Sequence, residues 1–244
     1  MGKEQVKRYI KVMPVFQLND HIQFPHPSLA EDNGLLAIGG DLSPERLLHA
    51  YSHGIFPWFS RGDPLLWWFT SPRLVIFPNE FRIPKRLARY IRTSSVHITR
   101  DHAFSDIVRE CAEVRTSRGE GTWIGTAMQE AYSKLHQLGF AHSVECWQNE
   151  TLVGGLYGVA IDKVFFGESM FSKISCGSQF AFVALVDFLK NNNFELIDCQ
   201  MTTNHLLRFG AREISGQDFQ RHLAKHIKHI TPQPFWANEN TIRK

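Results

Sequence analysis

The chain has 244 residues, of which 43% are hydrophobic and 21% charged, and its formal net charge is +3. This composition is typical of a globular protein with one large or two small domains, and the charge is too small to indicate a nucleic-acid partner by itself. No run approaches the ~18 consecutive apolar residues of a membrane span. The N-terminal segment lacks the apolar core of a signal peptide, and the four cysteines form no CxxC pair. We therefore expect a cytoplasmic protein with reduced thiols, no membrane partner and no bound metal.

Residues 1 to about 100 are expected to form a smaller N-terminal domain. Ser43 before Pro44 has the pattern of an N-cap followed by proline at the first helical position, so a short helix is predicted to begin there. Apolar residues bounded by prolines predict strands over 67–68 and 74–77.

An aromatic segment broken by glycine and proline follows the first helix. Gly54 and Pro57 both stop a helix, so the segment is expected to have an irregular backbone. A ring held on such a backbone, Trp58 in particular, can be offered to a ligand instead of being packed in a core.

A second helix is predicted to begin near Pro84, with cations on one side and apolar residues on the other. The cations are Arg82, Lys85, Arg86, Arg89 and Arg92. The apolar residues are Ile83, Leu87, Tyr90 and Ile91. Such a segment is most often a solvated amphipathic helix, but cations without an interleaved carboxylate repel one another unless an anion is near. A phosphate backbone would supply that anion, so contact with a nucleic acid is the alternative.

Residues 101 to 244 are predicted to form a second domain, of α+β class. Thr126 with Gln129 three residues later has the pattern of a capping box, which predicts a helix ending before Gly139. The other predicted elements are a helix over 101–114, strands over 141–148, 152–160 and 163–168, a buried helix over 179–190, a strand over 194–200, and helices over 204–209 and 215–227. A helix, three antiparallel strands, a buried helix, a strand and a helix make a sheet of the kind found in GCN5-related N-acyltransferases.

Four separated motifs make the chain resemble the bacterial leucyl/phenylalanyl-tRNA–protein transferases over roughly residues 30 to 236. They are the segment from Gly34 to Trp68, Gly121-Thr122-Trp123-Ile124, Phe166-Gly167-Glu168-Ser169-Met170-Phe171 and Leu196-Ile197-Asp198-Cys199-Gln200. The resemblance implies a GCN5-related N-acyltransferase-like catalytic domain behind the smaller N-terminal domain. It also implies transfer of Leu or Phe, and of Met less well, from aminoacyl-tRNA to the α-amino group of proteins with N-terminal Arg or Lys, which creates a degradation signal. Because the aminoacyl ester is already activated, no cofactor is expected, and nothing in the sequence suggests an obligate oligomer. The resemblance makes tRNA the expected partner of the basic helix.

The predicted strand that ends Asp198-Cys199-Gln200 places the carboxylate and the amide on the same face, because side chains alternate along a strand. Without further support, such a pair is most often the polar end of an edge strand. The resemblance implies a catalytic pair: Asp198 orients the acceptor amine and helps to remove its proton, and Gln200 relays that pull or stabilises charge on the ester carbonyl oxygen. Because an ordinary carboxylate is a weak base for an ammonium, orientation is the role we favour for Asp198.

Glu168 is a charged residue among apolar neighbours, and such charges are normally paired. One interpretation is an internal salt bridge to Arg or Lys. The resemblance implies instead that Glu168 binds the cationic N-terminal Arg or Lys of the acceptor protein.

The transferred Leu or Phe requires an apolar pocket that selects by size and shape. The candidate lining residues are Leu156, Phe165, Met170, Phe182, Leu185 and Ile197, each of which is more often plain core than pocket. Relatives commonly carry Leu at the position of Phe182 and Met at that of Leu156, so a bulkier Phe182 leaves the preference between Leu and Phe open. Trp58 and Trp123 are the candidate stacking partners for the terminal adenine of tRNA, although a Trp is more often packed in a core.

Two other functions compete with this hypothesis. An acetyl-CoA-dependent N-acyltransferase would have the same fold, but the turn Ser172-Lys173-Ile174-Ser175-Cys176-Gly177-Ser178-Gln179 lacks the glycine-rich pattern that binds the pyrophosphate of CoA. Relatives often have Lys at the position of Gln179, so the role of this turn is open. A tRNA-binding module without catalysis would explain the basic helix, but it would leave Asp198, Gln200 and Glu168 without a purpose.

Overall fold

Two β-sheets organise the chain in the computed structural model, which describes residues 15–60, 62–117, 123–233 and 236. The strands are β1 (Phe16–Leu18), β2 (Leu35–Gly39), β3 (Phe56–Pro57), β4 (Leu66–Trp68), β5 (Arg73–Ile76), β6 (His97–Arg100), β7 (Ala141–Gln148), β8 (Thr151–Ile161), β9 (Val164–Ser172), β10 (Leu196–Asp198) and β11 (Arg212–Ile214). The helices are α1 (Pro44–Ser52), α2 (Lys85–Thr93), α3 (Phe104–Ser117), α4 (Thr126–Gln137), α5 (Gly177–Asn191), α6 (Asn204–Leu207) and α7 (Gly216–His226).

The larger sheet has the strand order β11-β5-β10-β9-β8-β7-β6. Strands β7, β8 and β9 are antiparallel neighbours, whereas β9 and β10 are parallel because α5 crosses between them. The predicted order of a helix, three antiparallel strands, a buried helix, a strand and a helix is confirmed, and with it the α+β class.

The smaller sheet has the order β1-β2-β4-β3 and is built from residues 16–68. Strands β5 and β6 come before residue 100 in the chain but lie in the larger sheet. The division of the chain near residue 100 therefore stays a prediction, and the larger sheet takes strands from both sides of it.

Each face of the larger sheet carries its own apolar core. One core combines Tyr51 of α1 with Ile107 of α3 and Tyr132 of α4, so the N-terminal segment packs on the same core as the helices that follow it. The other core lies under α5. At the start of α5, a Cβ on Gly154 would lie 2.5 Å from the carbonyl carbon of Gly177, so this approach of β8 to the helix requires glycine.

Local signals explain most of the element boundaries. The Ser43 cap is confirmed, because its side chain accepts a hydrogen bond from the backbone N–H of Arg46. The capping box at Thr126 is wrong: Gly125 is the N-cap, and no side chain caps the helix. Within the described residues, the cysteines are free thiols and no helix is long and apolar enough to cross a membrane.

Candidate functional site

The site forms where two neighbouring strands separate. Strands β9 and β10 pair in parallel from Leu196 opposite Val164 to Asp198 opposite Phe166, where β10 ends. Strand β9 continues to Ser172, so beyond this point a gap opens between β9 and the residues that follow β10. Glu168 and Gln200 each lie two residues past the last pair, on opposite sides of the gap.

Glu168 is held by three hydrogen-bond donors from three parts of the chain. Tyr51 of α1 donates to Oε1 over 2.7 Å, and Tyr132 of α4 donates to Oε2 over 2.8 Å. The side-chain amide of Gln200 donates to Oε1 over 3.2 Å. Both tyrosines are fully buried, whereas Glu168 is partly exposed in the gap. The carboxyl group is therefore fixed in place by these three donors.

The protons at this cluster can be counted. The hydroxyls of Tyr51 and Tyr132 are also hydrogen-bonded to each other, so three contacts join two hydroxyls and one carboxyl group. Each tyrosine supplies one proton. An ionised Glu168 leaves one of the three contacts without a proton, whereas a protonated Glu168 fills all three. All three contacts can therefore be made when Glu168 is protonated.

The pKa of Glu168 is set by opposing influences. Burial raises the pKa of Glu168 from 4.5 to about 7, and the charge of Asp198 also raises it, against the hydrogen bonds from the tyrosines and Gln200. Burial likewise raises the pKa of Tyr51 and Tyr132 well above the usual value, so both remain donors. Glu168 thus changes charge close to neutral pH.

Asp198 has a different environment, although it lies next to the site. Its side chain is 0% exposed, and both of its oxygens bind Arg73 at 2.8 and 2.6 Å. Arg73 is itself 1% exposed, and its guanidinium lies over the rings of Phe56 and Phe219 at 4.9 and 4.6 Å. This bidentate pair is a buried structural ion pair.

Asp198 already binds Arg73 through both carboxylate oxygens, and the role predicted for it at the acceptor amine stays a prediction. Its link to the site is through the backbone: the N–H of Gln200 donates to Asp198 Oδ1 over 2.9 Å. Gln200 has a left-handed backbone, with φ of 56°. The positions of Asp198 and Gln200 are therefore coupled, and Asp198 is placed to support Gln200.

The two tryptophans differ in exposure. Trp58 is 40% exposed just after β3, and its ring lies 5.6 Å from that of Trp68. Trp68 also donates its indole N–H to the carbonyl oxygen of Trp58 over 2.7 Å. Trp123 is partly buried, packed against the core that contains Tyr132, and the preceding motif residues 121–122 lie outside the described residues.

All five predicted cations of the basic segment are exposed. They are Arg82, Lys85, Arg86, Arg89 and Arg92. Leu87 is buried as predicted, but Ile83 and Tyr90 are 41% and 38% exposed, so the apolar side is narrower than expected. Tyr90 lies over Phe180 of α5 with ring centroids 5.1 Å apart.

The predicted pocket residues all pack in the core under α5. Five of them are buried and Met170 is partly buried: Leu156, Phe165, Phe182, Leu185 and Ile197. Leu156 pairs with Met170 across β8 and β9, and Phe165 pairs with Ile197 across β9 and β10. Phe182 lies edge-on to Phe81 and Phe209.

One group of metal-ligand type lies outside the site and consists of Asp101, His136 and His142. His142 Nδ1 lies 2.7 Å from Asp101 Oδ2, and its Nε2 lies 3.2 Å from the carbonyl oxygen of Gly139. His136 Nδ1 contacts the carbonyl oxygen of Ala141 at 2.8 Å. Because these ring nitrogens already have protein partners, the group fits a structural network that joins α4 to β7.

Three residues of the site were not predicted. Tyr51 and Tyr132 have the spacing of ordinary apolar helix positions, and 117 residues separate Tyr51 from Glu168. Arg73 had a usable signal, because an arginine at the start of an apolar strand requires a partner if the strand is buried.

The chain is similar to the proteins of one family along most of its length. A family model described as leucyl/phenylalanyl-tRNA protein transferase matches residues 75–224, and one described as the N-terminal domain of that transferase matches residues 40–71. The leucyl/phenylalanyl-tRNA–protein transferase of Desulfotalea psychrophila is 56% identical over 224 residues, which cover 92% of this chain and 99% of that one. That of Syntrophobacter fumaroxidans is 52% identical over 232 residues, covering 95% and 99%. Similar solved structures include a GCN5-related N-acetyltransferase from Kribbella flavida, 13% identical over 70% of this chain and 61% of that one, with a TM-score of 0.36.

Proposed function

The chain belongs to the leucyl/phenylalanyl-tRNA protein transferase family and is an aminoacyltransferase, and from this premise we propose that it moves Leu or Phe, and Met less well, from aminoacyl-tRNA to proteins with N-terminal Arg or Lys. The product is a protein with a new N-terminal residue that acts as a degradation signal. We place the reaction in the cytoplasm, which the free cysteines support. The observation that carries the proposal is Glu168 hydrogen-bonded to Gln200 across the gap, with each residue in one of the family motifs.

The reaction forms one bond and breaks another. The neutral α-amine of the acceptor attacks the ester carbonyl carbon of aminoacyl-tRNA, a C–N bond forms, and the ester C–O bond breaks. The ribose oxygen of the tRNA leaves with a proton, and the amine gives up one. Because the ester is already activated, positioning of the two reactants is the main task, and it can contribute roughly 7–11 kcal/mol.

Glu168 binds the cationic first residue of the acceptor in this mechanism. Of the two carboxylates next to the gap, Asp198 is neutralised by Arg73, whereas the described contacts of Glu168 are with neutral donors. An ionised Glu168 therefore has charge available for a guanidinium or an ammonium, and the residue is only partly buried. Tyr51 and Tyr132 fix the direction of the carboxylate.

Gln200 orients the reacting groups, and Asp198 acts through it. The left-handed backbone of Gln200 is held by the hydrogen bond from its N–H to Asp198. The amide side chain then reaches Glu168, so the acceptor site and the amide share one rigid arrangement. In this proposal Asp198 is a positioning residue, and Gln200 stabilises charge on the carbonyl oxygen.

The transferred side chain is proposed to enter the apolar core under α5, between Met170 and Phe182. Met170 lies on β9 two residues past Glu168, which supports a path from the pocket to the gap. Phe182 is held by Phe81 and Phe209, so its ring is a fixed wall that sets the size of the donor side chain.

Trp58 and Trp123 are proposed to bind the terminal adenine, with Trp58 as the exposed platform. We expect Trp58→Ala to weaken use of aminoacyl-tRNA by about 5- to 100-fold, because stacking on an aromatic ring is worth roughly 1–3 kcal/mol per base. The KM for Leu-tRNA at saturating acceptor measures the effect. Trp58→Phe is the control and should retain most of the affinity; equal loss in both variants would show that the ring is not a stacking platform.

Arg82 and the exposed cations of α2 are proposed to contact the tRNA backbone. Replacing Arg82, Lys85 and Arg92 by Gln should make the dependence of log K on log salt less steep by about 3, since each phosphate contact contributes about 0.9. Titrations of uncharged tRNA at several KCl concentrations measure the slope. A slope equal to that of the wild type would show that these three residues do not contact the phosphates of the tRNA.

A single-turnover assay tests the reaction itself. Leu-tRNA carrying labelled leucine is mixed with a peptide that begins with Arg, and the label is followed in tRNA and in peptide. The proposal predicts that label leaves the tRNA and enters the peptide in equal amounts. Hydrolysis of Leu-tRNA without labelled peptide would contradict it.

A further inference from the structure

A groove on the α5 side of the larger sheet is separate from the site described above. It has a volume of about 680 Å³ and lies between α2, the start of α5 and α6. Its floor is apolar, with Leu87 and Phe209. This size is in the range of small-ligand sites in proteins, which is about 300–1,000 Å³.

The walls of this groove are basic. Arg86 and Arg89 come from α2, and Arg208 comes from the end of α6, so three cations from two helices converge on one space. None of the residues that line the groove is acidic. In the part of the chain that the structure describes, these three arginines form no salt bridge. Convergence of unpaired cations is costly unless an anion enters.

The groove also contains an exposed ring. Tyr90 lies between Arg86 and Thr93 on the helix surface, is 38% exposed and lines the groove. The ring packs at a tilt against Phe180, with centroids 5.1 Å apart, which restrains its position. An aromatic ring beside arginines is the combination that binds unpaired nucleotides, with the base on the ring and the phosphates on the guanidinium groups.

One polar atom at the groove has no partner. Nε2 of His205, a lining residue, is buried and makes no hydrogen bond within the described residues. Burial and the nearby charge of Arg208 lower the pKa of His205, which favours the neutral ring. A buried nitrogen of this kind is normally paired in the functional state.

We propose that this groove binds one unpaired nucleotide of the tRNA, with its base on Tyr90 and its phosphates on Arg86, Arg89 and Arg208. The inference rests on the proposed function, since it takes tRNA as the donor. A polynucleotide fits better than a small diphosphate such as CoA, because the positive charge continues out of the groove along Arg82, Lys85 and Arg92. The groove is a second RNA contact, distinct from the proposed adenine platform at Trp58.

Binding of uncharged, fluorescently labelled tRNA at several KCl concentrations tests the proposal. Arg208→Gln should weaken binding about tenfold and make the salt dependence less steep by about 1. Tyr90→Leu should weaken binding by a similar factor without changing the salt dependence, and Tyr90→Phe should bind like the wild type. Arg109→Gln on α3 is the matched control, because Arg109 is already paired with Asp106 and Glu113, and it should leave binding unchanged.

Two results would overturn the proposal. One is wild-type affinity and salt dependence in Arg208→Gln, with Tyr90→Leu also unchanged. The other is displacement of the labelled tRNA by millimolar free CoA from the wild type but not from Arg208→Gln, which would make the groove a small-nucleotide site. Because the assay uses uncharged tRNA and does not measure transfer, it can succeed even if the proposed reaction is absent.

Discussion

Asp198→Ala is expected to abolish transfer, because the backbone N–H of Gln200 loses its acceptor. It should also lower the free energy of unfolding by about 3–5 kcal/mol, because it leaves the guanidinium of Arg73 buried without its partner. The stability loss is measured by denaturant unfolding. Transfer and tRNA binding are measured at a temperature at which the variant is folded, and tRNA binding should be retained. Asp106→Ala is the matched control: it breaks an exposed pair with Arg109 and should cost less than about 1 kcal/mol.

A double variant separates the two roles of this ion pair. Arg73→Met with Asp198→Leu removes both charges from the core and should recover much of the stability, since apolar replacements of buried pairs are often neutral or stabilising. Transfer should stay lost, because the backbone N–H of Gln200 no longer has its acceptor. Recovery of both stability and transfer in the double variant would show that Asp198 does not position Gln200.

Glu168→Gln should raise the KM for peptides that begin with Arg or Lys by about 10- to 100-fold, because a hydrogen bond to a charged group contributes roughly 1.5–3 kcal/mol. The kcat at saturating acceptor should change less. A peptide that begins with citrulline, which has the shape of Arg without its charge, is the control acceptor and should be used equally poorly by both proteins. An unchanged KM for the Arg peptide would remove Glu168 from the acceptor site.

The pH dependence gives an independent test of the same residue. Glu168 has a pKa of about 7 and is neutral below it, so binding of a cationic acceptor should strengthen as the pH rises through about 7. The α-amine of the peptide also titrates, at about 7.7–8.0. That titration affects the wild type and Glu168→Gln equally. The ratio of their kcat/KM values should therefore report only the titration of the Glu168 carboxyl group. A ratio that does not vary between pH 6 and 8 would contradict the assignment.

The free energy of unfolding should fall as the pH rises, whereas acceptor binding should strengthen. The pKa of Glu168 is higher in the folded chain, about 7, than its ordinary value of 4.5, so the folded state favours the protonated form. Its contribution to stability is present at low pH and is lost as the pH rises through about 7. The melting temperature of Glu168→Gln minus that of the wild type should therefore increase from pH 5 to pH 8.

Local sequence signals were sufficient for most of the fold. The N-cap at Ser43 and the mostly buried strands β7 and β8 specify their elements with short-range information. The edge strands β6 and β11 were missed, because strands of three or four residues have too little periodicity to be recognised without their neighbours. Gly125 took the place of Thr126 as the N-cap because helix boundaries depend on the backbone of the preceding residues.

The site was predictable only in part for a related reason. Glu168, Asp198 and Gln200 stand in short motifs, so they could be selected from the sequence, although their roles remain proposals. Tyr51 reaches Glu168 across 117 residues, and no local pattern distinguishes its hydroxyl from that of a core tyrosine. The pairing of Asp198 with Arg73 depends on β5 lying next to β10, which is a tertiary fact.

The most direct test of the account is transfer of labelled leucine from Leu-tRNA to peptides that begin with Arg, Lys or Ala, with labelled acetyl-CoA as a parallel donor. The account predicts labelled product with the Arg and Lys peptides, little with the Ala peptide, and no acetylation. Acetylation without leucine transfer would contradict it, and so would equal leucine transfer to all three peptides, because a carboxylate that binds the acceptor's charge must discriminate against Ala.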